Sequence, residues 1–392
     1  MTPDNFHRPV KPPLLRSLAT SLALSLCANG SHAQLSVQGG IAAAVRHSTH
    51  TDPAGRGKVD MTPTNMSPLF ISFRAQETLA DGMQVRARLD TGFLTDTGAT
   101  RHGALFGREA SVGLDGRWGK LDAGRLQIIG GAVETLVRVD PAKGAGQLET
   151  VWPGIWTGAR FDNAVRYRYE SGPWFAGAMV STGERAGNRG DLTAVVAGYL
   201  DAPRVAMAAC QVAHDGNGLR ASVCTAGIAW SVPALAPNLA PDGTLLHAAV
   251  LAARRDKGFV VGAAGQALGN MDFSYVGIPA PADHQVRFAL LGLTLPLTAI
   301  SPLWRLRSAV FYAHSPDTTL FSAREGGIQR AAYVVLSYDL SRHTALLLSM
   351  DWNHWSGGWR GYWGSSAASQ AAHAPDGADT RRTAAIGLQH SF

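Results

Sequence analysis

Thr383-Ala384-Ala385-Ile386-Gly387-Leu388-Gln389-His390-Ser391-Phe392 ends the chain and decides how the rest is read. Apolar residues alternate with small or polar ones, and a period of two places side chains on opposite faces of an extended strand. Ile386, Leu388 and Phe392 share the apolar face, with Ala384 and His390 in register. Thr383, Ala385, Gly387, Gln389 and Ser391 lie opposite. The stretch is a strand with two chemically different faces, so the rest of the chain is tested for the same pattern.

The pattern recurs from end to end. At 83–93, Met83, Val85, Ala87, Leu89 and Phe93 form an apolar row against Gln84, Arg86, Arg88 and Asp90. At 160–170, Phe161, Val165, Tyr167 and Tyr169 oppose Arg160, Asp162, Arg166, Arg168 and Glu170. Leu69, Ile71 and Phe73 oppose Ser72, Arg74 and Gln76, while Trp304, Leu306, Val310 and Tyr312 oppose Arg305 and Arg307. Leu346, Leu348, Met350 and Trp352 oppose Ser349, Asp351 and Asn353. A wet face is ordinary for one antiparallel sheet, but here the connections also alternate in length. Short turns fall at 80–82, 115–117, 171–173, 200–203 and 339–342; longer polar, Gly-rich segments fall at 47–66, 94–103, 127–159, 183–190, 315–327 and 356–380. Alternation of short periplasmic turns with long external loops is the habit of a membrane barrel. The expected fold is therefore all-β, a transmembrane antiparallel β-barrel. Candidate strands number seventeen, and single-chain bacterial barrels have even numbers. Sixteen is the expected count, with one strand-like segment between 219 and 267 assigned to an external loop.

Residues 1–33 read as a secretory signal: Arg8, Lys11 and Arg16 precede an apolar run from Leu14 to Ala28, and Ser31-His32-Ala33 supplies small residues for cleavage near Ala33. The barrel is then expected over 34–392. Losing three cations and Asp4 lowers the formal charge from +6 to +4. No block of Lys or Arg exists, which excludes a nucleic-acid binder. Beyond the signal no apolar run is long enough for a spanning helix. Cys210 and Cys224 flank the turn His214-Asp215-Gly216-Asn217-Gly218 symmetrically, so a disulfide between them is possible on a hairpin in an oxidising compartment. Two free thiols are the alternative. No HExxH, G-x-S-x-G or P-loop is present, so neither an enzyme nor a cofactor is expected. His47 and His50 lack further candidate metal ligands.

Several segments resemble the Gram-negative general porins of the β-proteobacterial type. They are the start Gln34-Leu35-Ser36-Val37-Gln38-Gly39-Gly40, the segment Leu105 to Leu114, Trp118-Gly119-Lys120-Leu121-Asp122-Ala123-Gly124-Arg125, Arg160-Phe161-Asp162-Asn163-Ala164-Val165-Arg166-Tyr167, and Tyr338-Asp339-Leu340-Ser341-Arg342-His343-Thr344. With the terminal Phe392 they run in family order. The resemblance implies a 16-stranded homotrimeric barrel in the outer membrane, contacting its lipid and lipopolysaccharide. It also implies that loop 3 folds into the lumen, that small hydrophilic solutes diffuse passively, and that the last strand with Phe392 is read by the barrel-assembly machinery. Departures are the missing Tyr-Gly-x-x-Asp of the first strand, the scarcity of Lys (five residues) and the poor match at 214–283.

A pore of this kind is defined by its narrowest point and by the charges on its wall. The connection 127–159 carries Gly130, Gly131, Gly144 and Gly146 together with Glu134, Asp140 and Glu149, and is the candidate constriction loop. Opposite it, the water-facing rows offer Arg46, Arg74, Arg86, Arg88, Arg166, Arg168, Arg305 and Arg307 against fewer acids, Asp90, Asp162, Glu170 and Asp351. Arginine keeps its charge at any working pH, so moderate anion preference is expected. The alternative is a structural or adhesive barrel, non-conducting, whose arginines brace the wall in ion pairs. Trp174, Tyr312, Tyr333, Tyr338, Trp352 and Phe392 are expected in the aromatic girdles.

Overall fold

Because unpaired backbone groups cost several kcal/mol in hydrocarbon, a chain of amphipathic strands can cross a membrane only as a closed ring of hydrogen-bonded neighbours. The computed structural model has this form. It describes residues 34–50, 56–62, 69–79, 81–100, 104–142, 160–183, 191–215, 217–236, 239–256, 284–320, 323–357 and 379–392. The segment 1–33 and Glu149 lie outside them.

The strands are β1 (Gln34–Ser48), β2 (Lys58–Thr62), β3 (Phe70–Thr78), β4 (Gln84–Gly92), β5 (Glu109–Gly116), β6 (Gly119–Gln127), β7 (Arg160–Ser171), β8 (Trp174–Ser181) and β9 (Leu192–Asp201). They continue with β10 (Arg204–His214), β11 (Arg220–Ser231), β12 (Leu245–Arg255), β13 (His284–Pro296), β14 (Trp304–Leu320), β15 (Ala323–Asp339), β16 (Thr344–Gly357) and β17 (Thr380–Ser391). One helix, α1 (Gly131–Val139), follows β6. All pairings are antiparallel and, apart from β1–β3, join sequence neighbours, and β17 returns to β1 over Gly40↔Ser391 to Ser48↔Thr383.

Seventeen strands make sixteen staves, because β2 and β3 share one place. β3 pairs with β1 from Gln34↔Gln76 to Gly40↔Phe70, and β2 pairs along the same side from Ala44↔Thr62 to Ser48↔Lys58. The expected count holds, and the seventeenth strand, β2, falls within 47–66, read above as a long connection. Segments 219–230 and 244–254 are both staves, β11 and β12, and 258–267 lies outside the described residues. The stretch 315–327, read as a long loop, instead extends the β14–β15 hairpin: Ser315↔Gly327 is followed by Thr318↔Glu325 and Leu320↔Ala323 across a bulge.

Side chains on the exposed rows are apolar: Ile41, Val45, Leu89, Val195, Val250, Leu291, Val334, Leu348 and Ile386 stand outward. Burying these rows against lipid instead of water is worth about 25 cal/mol per Å². The inward rows divide into two halves. Those of β3–β7 are charged, whereas those of β8–β15 carry buried apolar side chains, among them Met179, Val196, Met207, Leu251, Phe288, Phe311 and Tyr333. Tyr333 is thus an inward residue and not part of the girdle, while Trp174, Tyr312, Trp352 and Phe392 are exposed outward. Trp355 also points inward and is fully buried.

Cys210 and Cys224 face each other across β10 and β11 and form a disulfide. Both lie on the exposed row, which is the outward one.

Candidate pore wall and constriction segment

Strict alternation brings Ser72 and Arg74 of β3, Arg86, Arg88 and Asp90 of β4, Glu109 and Asp115 of β5, Asp122 of β6, and Arg166 and Arg168 of β7 onto one inward face. Neighbouring staves are about 4.8 Å apart, close enough for charges on adjacent strands to meet. Arg88 pairs with Asp90 at 2.5 Å and Glu109 at 3.4 Å. Arg166 reaches Glu109 at 3.1 Å and Asp122 at 3.0 Å, and donates to the Gln127 carbonyl at 3.1 Å. Arg86 spans Asp115 at 3.2 Å and Asp122 at 3.0 Å. Arg168 lies between Glu170 at 2.8 Å and Glu134 at 3.5 Å, with its guanidinium 4.1 Å above the Phe175 ring. Lys120 holds the other oxygen of Glu170 at 2.7 Å.

The sequence underestimated the acids on this wall. Glu109, Asp115 and Asp122 stand on β5 and β6, where Gly113, Gly116, Gly119 and Gly124 blur the two-faced pattern. Asp162 was placed with Arg166 and is not there. At the seam, Gly124↔Ala164 is followed by Leu126↔Phe161, and Asn163 adopts a φ of 49°, so the parity of β7 changes. Asp162 turns to the outward face and pairs with Arg125.

Two inward arginines lack a carboxylate among the described residues. Arg74 donates to Ser72 Oγ at 3.1 Å, and Arg307 donates to Ser337 Oγ at 2.9 Å. Arg305 has, among the described residues, only Asp339, at 3.9 Å. Arg46 is bound in two places by Asp60 of β2, at 3.0 and 2.8 Å. Asp351 also faces inward and accepts from Asn353 Nδ2 at 3.1 Å.

Gly130 and Gly131, with φ of 63° and 59°, turn the chain out of β6 into α1. A side chain would be strained at such values. The residues that follow rest on inward-facing wall positions. Val139 and Thr135 lie against Gly227 of β11, and Pro141 against Gly292 of β13, where an added Cβ would come within 2.9 and 2.6 Å of them. His247 Nδ1 lies 2.5 Å from the Val139 carbonyl, and its Nε2 lies 2.9 Å from Thr294 Oγ1. The Ala142 N–H donates to Tyr333 Oη at 3.0 Å. Asp140 does not line an opening: it is buried and accepts from the Tyr333 hydroxyl. Glu134 accepts from the Gly130 N–H at 2.5 Å and from Arg138 at 2.8 Å while facing Arg168. His247 and Tyr333, which seat this segment, carried no signal in the sequence beyond their alternation.

A closed sixteen-stave barrel with a greasy exterior and a charged interior half defines an outer-membrane channel. The chain belongs to the family described as Gram-negative porin, whose profile matches residues 19–354. Among solved structures it is similar to an anion-selective porin from Comamonas acidovorans, with a TM-score of 0.64 at 15% identity, covering 92% of this chain and 100% of that one. The in-vitro folded OmpT of Vibrio cholerae, in trimer form, gives a TM-score of 0.56 at 11% identity over 92% of this chain and 99% of that one. The outer membrane channel DcaP of Acinetobacter baumannii gives 0.56 at 14% identity, over 92% and 97%. No curated protein matches the sequence.

Proposed function

We propose that the protein is a homotrimeric diffusion porin, passing small hydrophilic solutes and ions with a moderate preference for anions. Its signal is removed near Ala33, its assembly is directed through the last strand and Phe392, and its outward face meets lipid and lipopolysaccharide. The connection 127–159 serves as the inward constriction loop. Its support is that Val139, Pro141 and Ala142 touch inward residues on β11, β12, β13 and β15, all on one side of the wall. The observation that carries the reading is the ladder on β3–β7. Its arginines remain partly open, with Arg88 at 35% and Arg86 at 31% side-chain exposure, despite their acid partners. A bare anion in the passage therefore still meets guanidinium.

Arg74 and Arg307 carry the anion preference in this reading, because no carboxylate among the described residues offsets them at contact distance. Screening extends about 8 Å at physiological salt, so such charges act across a narrow opening. A resemblance in fold to an anion-selective porin supports the same sign.

One observation favours the alternative, a non-conducting structural or adhesive barrel. Ion pairs lace the charged half, and the β8–β15 half carries many buried apolar side chains beside Arg305 and Arg307. Single-channel recording in planar bilayers decides between them. The porin reading expects steps with a reversal potential on the anion side, moved toward cations by Arg74→Glu. Absence of steps from correctly folded protein would establish the non-conducting barrel, and a cation-side reversal potential would remove the proposed preference.

A further inference from the structure

Three successive connections at the short-turn end of the barrel are greasy. They join β11 to β12 (232–244), β13 to β14 (297–303) and β15 to β16 (340–343), staves that are neighbours in the ring. The first contains Pro233-Ala234-Leu235-Ala236-Pro237-Asn238-Leu239-Ala240-Pro241, a Pro-x-Leu-Ala unit written twice. Leu235 is 64% exposed and Leu239 73%, with Ile300 at 74% and Leu340 at 52% on the next two connections. Asp242 and Arg342 are the only Asp, Glu, Lys or Arg residues in all three. The same end of β3–β10 differs. Its tips are Asp81-Gly82, Arg117-Trp118, Gly172-Pro173 and Ala202-Pro203, with no exposed Leu, Ile or Val among the described residues of those tips.

The greasy connections continue the lipid-facing surface. Trp230 stands next to the end of β11, and Trp304 and Tyr338, with ring centroids 4.8 Å apart, stand at the strand ends beside the other two connections. Such aromatic residues mark the membrane interface. Backbone chemistry fits the same solvent, because hydrocarbon accepts a turn only where its N–H groups are answered internally. Proline removes the donor at 233, 237, 241 and 302. In the first connection Ala236 donates to Val232, Leu239 to Ala236 and Thr244 to Pro241. Ile300 and Ser301 both donate to Leu297, and Leu340 and Ser341 both donate to Thr344. A soluble protein partner would call for the hydrogen bonds and polar rim that protein interfaces carry, which aliphatic tips and prolines do not supply.

We infer that these connections are a membrane-contact element. Leu235, Leu239, Ile300 and Leu340 seat among the acyl chains of the periplasmic leaflet, so the β11–β16 side of the barrel sits deeper in the bilayer than the β3–β10 side. The inference rests on the outer-membrane placement above but not on conduction.

The test uses full-chain protein in dioleoylphosphatidylcholine vesicles, with one environment-sensitive fluorophore on an introduced cysteine and the native disulfide intact. Leu239→Cys and Ile300→Cys probe the element, Asp81→Cys and Arg117→Cys the opposite turns, and Val250→Cys the outward wall. Quenching is read from phosphatidylcholine brominated on its acyl chains, and separately from iodide present on both sides of the membrane. Labels at Leu239 and Ile300 are expected to be quenched by brominated chains about half as strongly as the label at Val250, because interfacial apolar groups lie ~5–10 Å into the headgroup boundary. Labels at Asp81 and Arg117 are expected to respond to iodide alone. Iodide quenching at Leu239 and Ile300 equal to that at Asp81 overturns the inference and leaves a free surface for a soluble partner. Shielding from both quenchers also overturns it, since a second copy of the chain then covers the tips. Wild-type protein with a photoactivated carbene on the lipid acyl chain gives the same answer without substitution: adducts are expected on 232–241 and 297–303, and their absence there with adducts present on the β12 wall overturns the inference. No acyl contact at Val250 would remove the membrane placement itself. Acyl contact at Leu239 and Ile300 without channel steps would remove the porin reading and leave this element standing.

Discussion

Phe392 and Gly39 close the ring together. The Gly39 N–H donates to the Phe392 carbonyl at 2.9 Å, the Phe392 N–H donates to the Gly39 carbonyl at 3.1 Å, and a Cβ on Gly39 would come within 2.5 Å of the Phe392 ring. The aromatic side chain thus covers the bare backbone of the first stave on the outward face. Gly39→Leu is expected to lift the ring from its seat and destabilise the barrel by about 1–3 kcal/mol, the range for overpacking. Urea titration of the folded protein, read by the heat-dependent shift in gel mobility, checks this. An unchanged midpoint would show that the contact does not matter.

Glu109 joins two ladder arginines, accepting from Arg166 at 3.1 Å and forming an ion pair with Arg88 at 3.4 Å. Glu109→Gln removes one negative charge from the wall while leaving both cations in place. The reversal potential should therefore move further toward anions, and stability should fall by about 1–3 kcal/mol because a buried charged partner is lost. A move toward cations would contradict the placement of this wall in the ion path.

Gly227 gives Val139 and Thr135 their seat on β11. In Gly227→Leu the added side chain occupies that space, and overpacking of about 1–3 kcal/mol acts on the seating of α1 while the β10–β11 and β11–β12 ladders stay paired. Single-channel conductance should rise with the barrel still folded. Conductance identical to wild type would argue that α1 does not narrow the passage.

The disulfide closes a short span, with a sequence separation of 14 between Cys210 and Cys224. A loop of that size corresponds to about 3 kcal/mol in the chain-entropy account, an upper figure where hairpin pairing already restrains the ends. Because both cysteines stand on the outward row, Cys210→Ser/Cys224→Ser should lower the unfolding midpoint and leave conductance and ion selectivity unchanged. A shift in selectivity would place the pair on the wrong face.

Much of the wall was legible because alternation is local. Arg74, Arg86, Arg88, Arg166, Arg168, Arg305 and Arg307 were read from their rows as facing away from the apolar side chains, and all of them face inward. Asp162 was misread because one residue in the left-handed region, Asn163, reverses the parity of a strand without changing its composition. Asp140 was misread because its partner, Tyr333, lies 193 positions away. Glycines hid the acids of β5 and β6 for a similar reason: a residue with no side chain breaks a two-faced pattern that the backbone itself continues.

The sequence alone determined the class of architecture, since a period of two repeated between alternating short and long connections leaves few ways to satisfy backbone groups in lipid. It also determined which rows are greasy and which are charged. Only the tertiary structure decided how the charges combine. Whether a guanidinium meets a carboxylate depends on the register between neighbouring staves, and whether α1 finds a seat depends on which strands curvature brings beneath it. Both are properties of strand pairing across the ring, which no single strand encodes.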